Sequence, residues 1–132
     1  MEVVIDSNVL FRALISNTKI AKLLFDERLK FFAPEKLKEE FLNNKDEILS
    51  KSKLSESKLD ELAPLLFDNI TFVSLDKYKK FVPEAKVLLS KHEKDEDFIA
   101  LCLMKGLKIW TYENLLFKIG FGISTEEIEK EL

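Results

Sequence analysis

Four acidic residues, Asp6, Glu40, Asp95 and Glu113, are spaced so that strands and helices could gather them at one place. Carboxylates brought close repel one another and shift one another's pKa values. A hard divalent cation removes that penalty, and oxygen donors suit Mg²⁺ or Mn²⁺. A metal held this way with open positions can activate water and neutralise charge developing on a phosphodiester. With one histidine, His92, and one cysteine, Cys102, the chain is poorly supplied for zinc. His92 reads as an ordinary boundary residue and not as a catalytic base.

Each acid has its own local warrant. Asp6 ends the β-branched run Val3-Val4-Ile5, which suits a strand buried on both faces of a parallel sheet. An acid where such a strand stops lies at the sheet's carboxyl edge, where open α/β folds place ligands. Asp6 and Asn8 equally suit a turn or a helix cap. Glu40 falls in a helix expected over residues 35–50, with Leu37, Phe41 and Ile48 on the core face. Glu39 points opposite that stripe. Glu40 sits on its flank, roughly 80° from the centre, where the commoner fate is a head group in water.

The third acid comes from Lys94-Asp95-Glu96-Asp97. Acids in a first helical turn also serve the helix dipole. Asp95, Phe98, Ile99 and Cys102 follow the i, i+3, i+4, i+7 rule, so Asp95 opens the inward stripe and Asp97 points away. Because helix starts shift by a residue or two, Asp97 is the reserve candidate. Glu113 follows a strand, Ile109-Trp110-Thr111, whose carboxyl end thus carries a hydroxyl and an acid.

The elements that must position these groups alternate between strand and helix, which implies a parallel sheet with crossover helices. Strands are expected at residues 3–5, 31–33, 70–73 and 109–111. Helices are expected over 11–16, 19–29, 35–50, 55–67, 78–90 with a break near Pro83, 98–105 closed by Gly106, and 125–132. Pro34 suits the first turn of the third helix. Ser55 caps the fourth helix, and Ser124-Thr125-Glu126-Glu127 forms a capping-box pattern.

Composition bounds the rest. At 132 residues, 46% hydrophobic and 34% charged, the chain is expected to be one globular domain over residues 1–132. No apolar run approaches the ~18 residues of a membrane span. The start of the chain leads directly into a strand without a signal-peptide pattern, and Cys102 lies in an apolar run. A cytoplasmic protein is the expectation. The net charge of −3 provides no global basic field for nucleic acid. Arg12, Lys19 and Lys22, just past the first acid, are candidate phosphate contacts, though each also suits solvated surface.

On these motifs the sequence resembles the PIN-domain family, metal-dependent ribonucleases that include VapC-type toxins. Ile5-Asp6-Ser7-Asn8-Val9-Leu10 is similar to the family's opening strand, and Pro34 through Phe41 to its second motif, picking Glu40. Asp95-Glu96-Asp97-Phe98-Ile99-Ala100-Leu101 resembles the third and picks Asp95. Trp110-Thr111-Tyr112-Glu113 resembles the fourth, with Glu113 where the commonest form has Asp. The resemblance implies a three-layer α/β/α sandwich around a parallel sheet, Mg²⁺ or Mn²⁺, and hydrolysis of RNA. Asp6, Asp95 and Glu113 would hold metal, and Glu40 would bind it or orient the attacking water. Asn8 and Thr111 would fix carboxylate orientation. A homodimer and an antitoxin protein are the implied partners.

The rival from another class is a PIN-fold scaffold or RNA-processing partner without nuclease activity, favoured by Glu113 and the acidic balance. A dehalogenase-like phosphatase would need an acid at position 8, where this chain has Asn8. A phosphoacceptor receiver domain would need a strand-end lysine near the C-terminus, and no convincing one is present.

Overall fold

The computed structural model describes residues 1–15, 18–90 and 92–132, with the backbone alone at Thr18 and Glu93. Five strands, β1 (Glu2–Ile5), β2 (Lys30–Pro34), β3 (Ile70–Val73), β4 (Ile109–Trp110) and β5 (Gly122–Ile123), form one sheet in the order β3-β2-β1-β4-β5. Every pairing is parallel. Helices and sheet build the expected α/β/α sandwich. The central strand is fully apolar after Glu2, and Val3, Val4 and Ile5 are buried, as a strand covered on both faces requires.

Strands β2 and β3 extend the sheet to one side of β1, and β4 and β5 to the other. The winding therefore reverses between β1 and β4, and a crevice opens beyond their carboxyl ends. Asp6 and Thr111 are the first residues past those two ends. From Asp6 the chain turns directly into helix α1 (Ser7–Ile15), earlier than the expected start at residue 11. The expectation for Ser16 lies outside the described residues. Helix α2 (Thr18–Leu24) stops short of the expected residue 29, where a turn with Leu29 N–H donating to the Asp26 carbonyl leads into β2.

The single helix expected over 35–50 is two, α3 (Lys36–Asn43) and α4 (Lys45–Lys51). The break falls at Asn44, whose side-chain amide donates to the Glu40 carbonyl at 2.7 Å. An Asn that bonds locally to backbone competes with helix continuation. Beyond the break, α4 packs against α1 and Ile48 is buried. Pro34 ends β2 instead of opening α3, and the next amide, Glu35 N–H, donates to the Val73 carbonyl of β3.

Helix α5 (Glu56–Asp68) has the expected Ser55 cap, with Lys58 N–H donating to its hydroxyl. The segment expected as a helix over 78–90 begins at the last residue of α6 (Leu75–Tyr78) and continues as a 3₁₀ turn (Lys79–Phe81) and α7 (Val82–Leu89). Helix α8 (Glu96–Lys105) packs across β1, β2 and β4. Its five consecutive residues Phe98 to Cys102 are all buried, as in a helix apolar on nearly every side. Gly106 ends it at φ 66°, a left-handed cap that favours glycine.

The short elements α9 (Asn114–Lys118) and β5 fall where the sequence pattern predicts neither helix nor strand. The Phe117 ring lies over Gly122, where a Cβ would come within 2.7 Å of it, so glycine admits the contact. Helix α10 (Thr125–Glu131) opens on the expected capping box between Ser124 and Glu127. Among the described residues, no helix is long and apolar enough to cross a membrane.

Candidate metal centre

The crevice beyond β1 and β4 is a cavity of about 570 Å³ whose lining includes Asp6, Glu40, Asp95 and Glu113. One carboxylate oxygen from each of Asp6, Asp95 and Glu113 lies within 4.8 Å of the others. Asp6 is delivered by the end of β1 and Asp95 by the residue before α8. Glu113 comes from the turn after β4. Asp6 and Asp95 are buried and Glu113 is half-buried.

The supports of these acids differ. Thr111 Oγ1 accepts the Glu113 backbone N–H at 3.0 Å. An amide can only donate, so the hydroxyl is free to direct its own proton to Asp6 Oδ2, 2.6 Å away. One side chain thus ties the ends of β1 and β4 together and fixes the rotamer of Asp6. Asn8 Nδ2 donates to Glu113 Oε1 at 3.1 Å, and Lys94 Nζ lies 3.7 Å from the same oxygen.

Glu40, at the start of the second turn of α3, stands beside this cluster and is connected to it through Ser7. The Ser7 hydroxyl donates to Glu40 Oε2 at 2.5 Å and lies 3.5 Å from Asp6 Oδ1. Ser7 was not among the residues singled out from the sequence. A small polar residue after a strand reads as a spacer there, and its partner is 33 positions away. Glu39 is exposed, opposite the buried stripe.

Asp97 does not join the cluster. It lies in a separate hollow with Glu35, Lys36, Glu39, Leu75 and Tyr78, and its Oδ2 accepts the Tyr78 hydroxyl at 2.5 Å. Of the three basic residues near the first acid, only Arg12 lines the cavity. Lys19 is paired with Glu129 at 2.9 Å. His92 is exposed.

Burial pushes the Asp6 carboxyl up to about 6, with Glu113 and Glu40 adding to the rise and the Thr111 hydrogen bond opposing it. Asp95 is raised as well, first by burial, then by its contact with Glu113 and the charges of Glu113 and Asp6, with Lys94 opposing. Asp95 Oδ2 is the one buried side-chain oxygen or nitrogen among the described residues without a hydrogen-bond partner. An unpaired buried carboxylate oxygen is costly. This one faces two further carboxylates, so a divalent cation fits the donor set: three hard oxygen donors, one of them otherwise unsatisfied.

An all-parallel α/β sandwich that gathers acids at its switch point has the layout of a carboxylate site in a doubly wound fold. A family model described as a PIN domain matches residues 4–132, and the chain belongs to that family. Membership points to nuclease-type, hydrolytic function with divalent metal and an RNA substrate. Comparison with curated proteins returned no match.

Proposed function

We propose that this protein is a Mg²⁺- or Mn²⁺-dependent endoribonuclease. The observation that carries the reading is the orphaned Asp95 oxygen, buried against Asp6 and Glu113 in an open cavity. Asp6, Asp95 and Glu113 hold the ion. When bound, it supplies charge neutralisation at the phosphodiester and a lowered pKa for water. Thr111 keeps Asp6, and Asn8 keeps Glu113, in the orientation that converges on one point. Glu40, steadied by Ser7, orients the attacking water or adds a further oxygen donor. The longer arm of Glu113 reaches the cluster with its headgroup held by Asn8 and Lys94.

The same reading extends to partners and place. An open acidic cavity suits a basic side chain from an antitoxin protein, and the toxin of a toxin–antitoxin pair is the form we propose. It would work as a homodimer in the cytoplasm, where a lone buried thiol such as Cys102 stays reduced.

The test is cleavage of a structured RNA with Mg²⁺ or Mn²⁺ by wild type and Asp6→Asn, with a chelator control. Cleavage is expected only from wild type with metal, while Asp6→Asn stays folded because it removes a repelling charge together with a ligand. Unaltered cleavage by a clean Asp6→Asn preparation would rule out this site. Metal binding without cleavage would select the scaffold alternative.

A further inference from the structure

We propose that Arg12 is the residue that grips an RNA phosphate flanking the bond to be cleaved, and that Tyr112 is the platform holding it there. This rests on the nuclease reading above and adds a substrate-positioning site to it.

Helix α1 presents Asn8, Phe11, Arg12 and Ile15 to the cavity, at the i, i+3, i+4, i+7 spacing of a single helix face. That face is therefore a wall running away from the acids. Arg12 stands just over one turn beyond Asn8, about 6 Å further along the helix axis. Its place is next to the reacting group and not on top of it.

The guanidinium lies over the Tyr112 ring, 4.1 Å from the ring centroid. A cation stacked on an aromatic face gains from the ring quadrupole and is held flat. Its N–H groups radiate in the guanidinium plane and stay available to a partner at the edge. The platform is itself fixed. Tyr112 and Thr125 share a hydrogen bond between hydroxyls at 2.9 Å, and Thr125 also accepts the indole N–H of buried Trp110 at 3.0 Å. Thr125 opens α10 and is buried. The ring under Arg12 is thus anchored to the core.

Lys94 is the other cation lining the cavity, and Lys36 and Lys19 stand outside it. Lys94 is near Glu113, Lys36 near Glu40, and Lys19 is paired with Glu129. The chain's other arginine, Arg28, is bound to Asp26. Arg12 forms no ion pair among the described residues, although it lines a cavity rich in carboxylates. An oriented, uncommitted guanidinium beside an acidic site is suited to the class of ligand the acids themselves would repel. A phosphate diester matches its fork geometry.

The experiment compares wild type, Arg12→Gln, Arg12→Lys and Tyr112→Leu. Three quantities are read: KM and kcat for a single-stranded RNA with Mn²⁺, binding of that RNA with Ca²⁺ across a salt series, and Mn²⁺ affinity without RNA. Arg12→Gln is expected to raise KM and weaken RNA binding about 10- to 150-fold, the range of a lost charge-assisted hydrogen bond. Its kcat should stay within about threefold, and the salt slope should fall by about 0.7, as for one single-strand phosphate contact. Arg12→Lys should recover part of the loss, keeping the charge without the fork. Tyr112→Leu should weaken RNA binding in the same direction. Mn²⁺ affinity should not move in any variant. Unchanged KM and salt slope in Arg12→Gln, with wild type cleaving normally, would overturn this proposal and leave the nuclease reading standing. A loss of Mn²⁺ affinity in Arg12→Gln would also overturn it, since Arg12 would then be acting on the acids. A wild type that neither binds nor cleaves RNA overturns both.

Discussion

Asp95 and Asp97 stand two residues apart at the start of α8, and their surroundings differ in kind. Asp95 is 4% exposed, faces Asp6 and Glu113, and leaves one oxygen without a partner. Asp97 is half-buried and accepts the hydroxyl of Tyr78, which is itself buried. Both hollows contain several acids. In the second, Glu35 and Glu39 are open to water and Asp97 is bonded. Acidity alone therefore does not mark a site. Desolvation without a protein donor does, because a carboxylate taken out of water and left unpaired costs free energy until something cationic arrives.

Neutralising the two acids in turn should separate them by function. Asp95→Asn removes the orphaned oxygen's charge and one of three converging donors. Mn²⁺ affinity and RNA cleavage should each fall by more than about 100-fold, beyond what loss of an outer supporting partner costs. Asp97→Asn should leave both within about threefold. Equal losses in the two variants, measured by metal titration and initial cleavage rates, would show that the two hollows are one functional unit.

The buried acids also predict an inverted pH dependence of stability. Asp6 is raised from an ordinary 3.8 to about 6, so between those values the folded state keeps a proton that the unfolded chain has lost. Stability then falls as pH rises. For Asp6 the loss builds between about pH 4 and 6 and amounts to something on the order of 3 kcal/mol. Asp95, also raised, acts in the same direction. In chelator, the melting temperature should drop by several degrees from pH 4.5 to 8, and Asp6→Asn should flatten the curve. Saturating Mn²⁺ should restore stability at pH 8, since binding to the native state alone adds to it. A metal-free protein more stable at pH 8 than at pH 5 would contradict the raised acids.

The acids differ in how visible they are from the chain alone. Asp6 shows because the β-branched run Val3-Val4-Ile5 suits a buried strand that ends at it, and Asp95 because Phe98, Ile99 and Cys102 repeat its helical phase. Thr111 and Glu113 follow from a second strand end. Ser7 does not show, since its use depends on Glu40 being brought to it from another element. The break at Asn44 was hidden because Leu37, Phe41 and Ile48 share one face of an unbroken wheel. The break shows only in the local bond from the Asn44 amide to the Glu40 carbonyl, which a hydrophobic wheel does not register. Strand β5 was hidden by length, since Gly122 and Ile123 are too few to alternate. Its place comes from parallel pairing with Ile109 and Trp110.

The smallest expected effect sharpens the contrast from its structural side. Tyr78 carries a buried ring on α6, and its hydroxyl reaches across to Asp97 on α8, so the bond pins two packed helices together. Burial and the Asp97 carboxylate both push the Tyr78 hydroxyl pKa up, which keeps it a donor at any ordinary pH. Tyr78→Phe keeps the ring and removes only the donor. The cost should be about 1 kcal/mol, rising toward 3 if the Asp97 charge is poorly hydrated once released. Denaturant unfolding reads this, and Asp97→Asn in the same background should then cost less than it does in wild type, because the partner is already gone. Mn²⁺ affinity should be the same in all four proteins of that cycle. If it were to fall with Tyr78→Phe, the satisfied acid would be coupled to the unsatisfied one through the start of α8, and the two hollows could no longer be treated as independent.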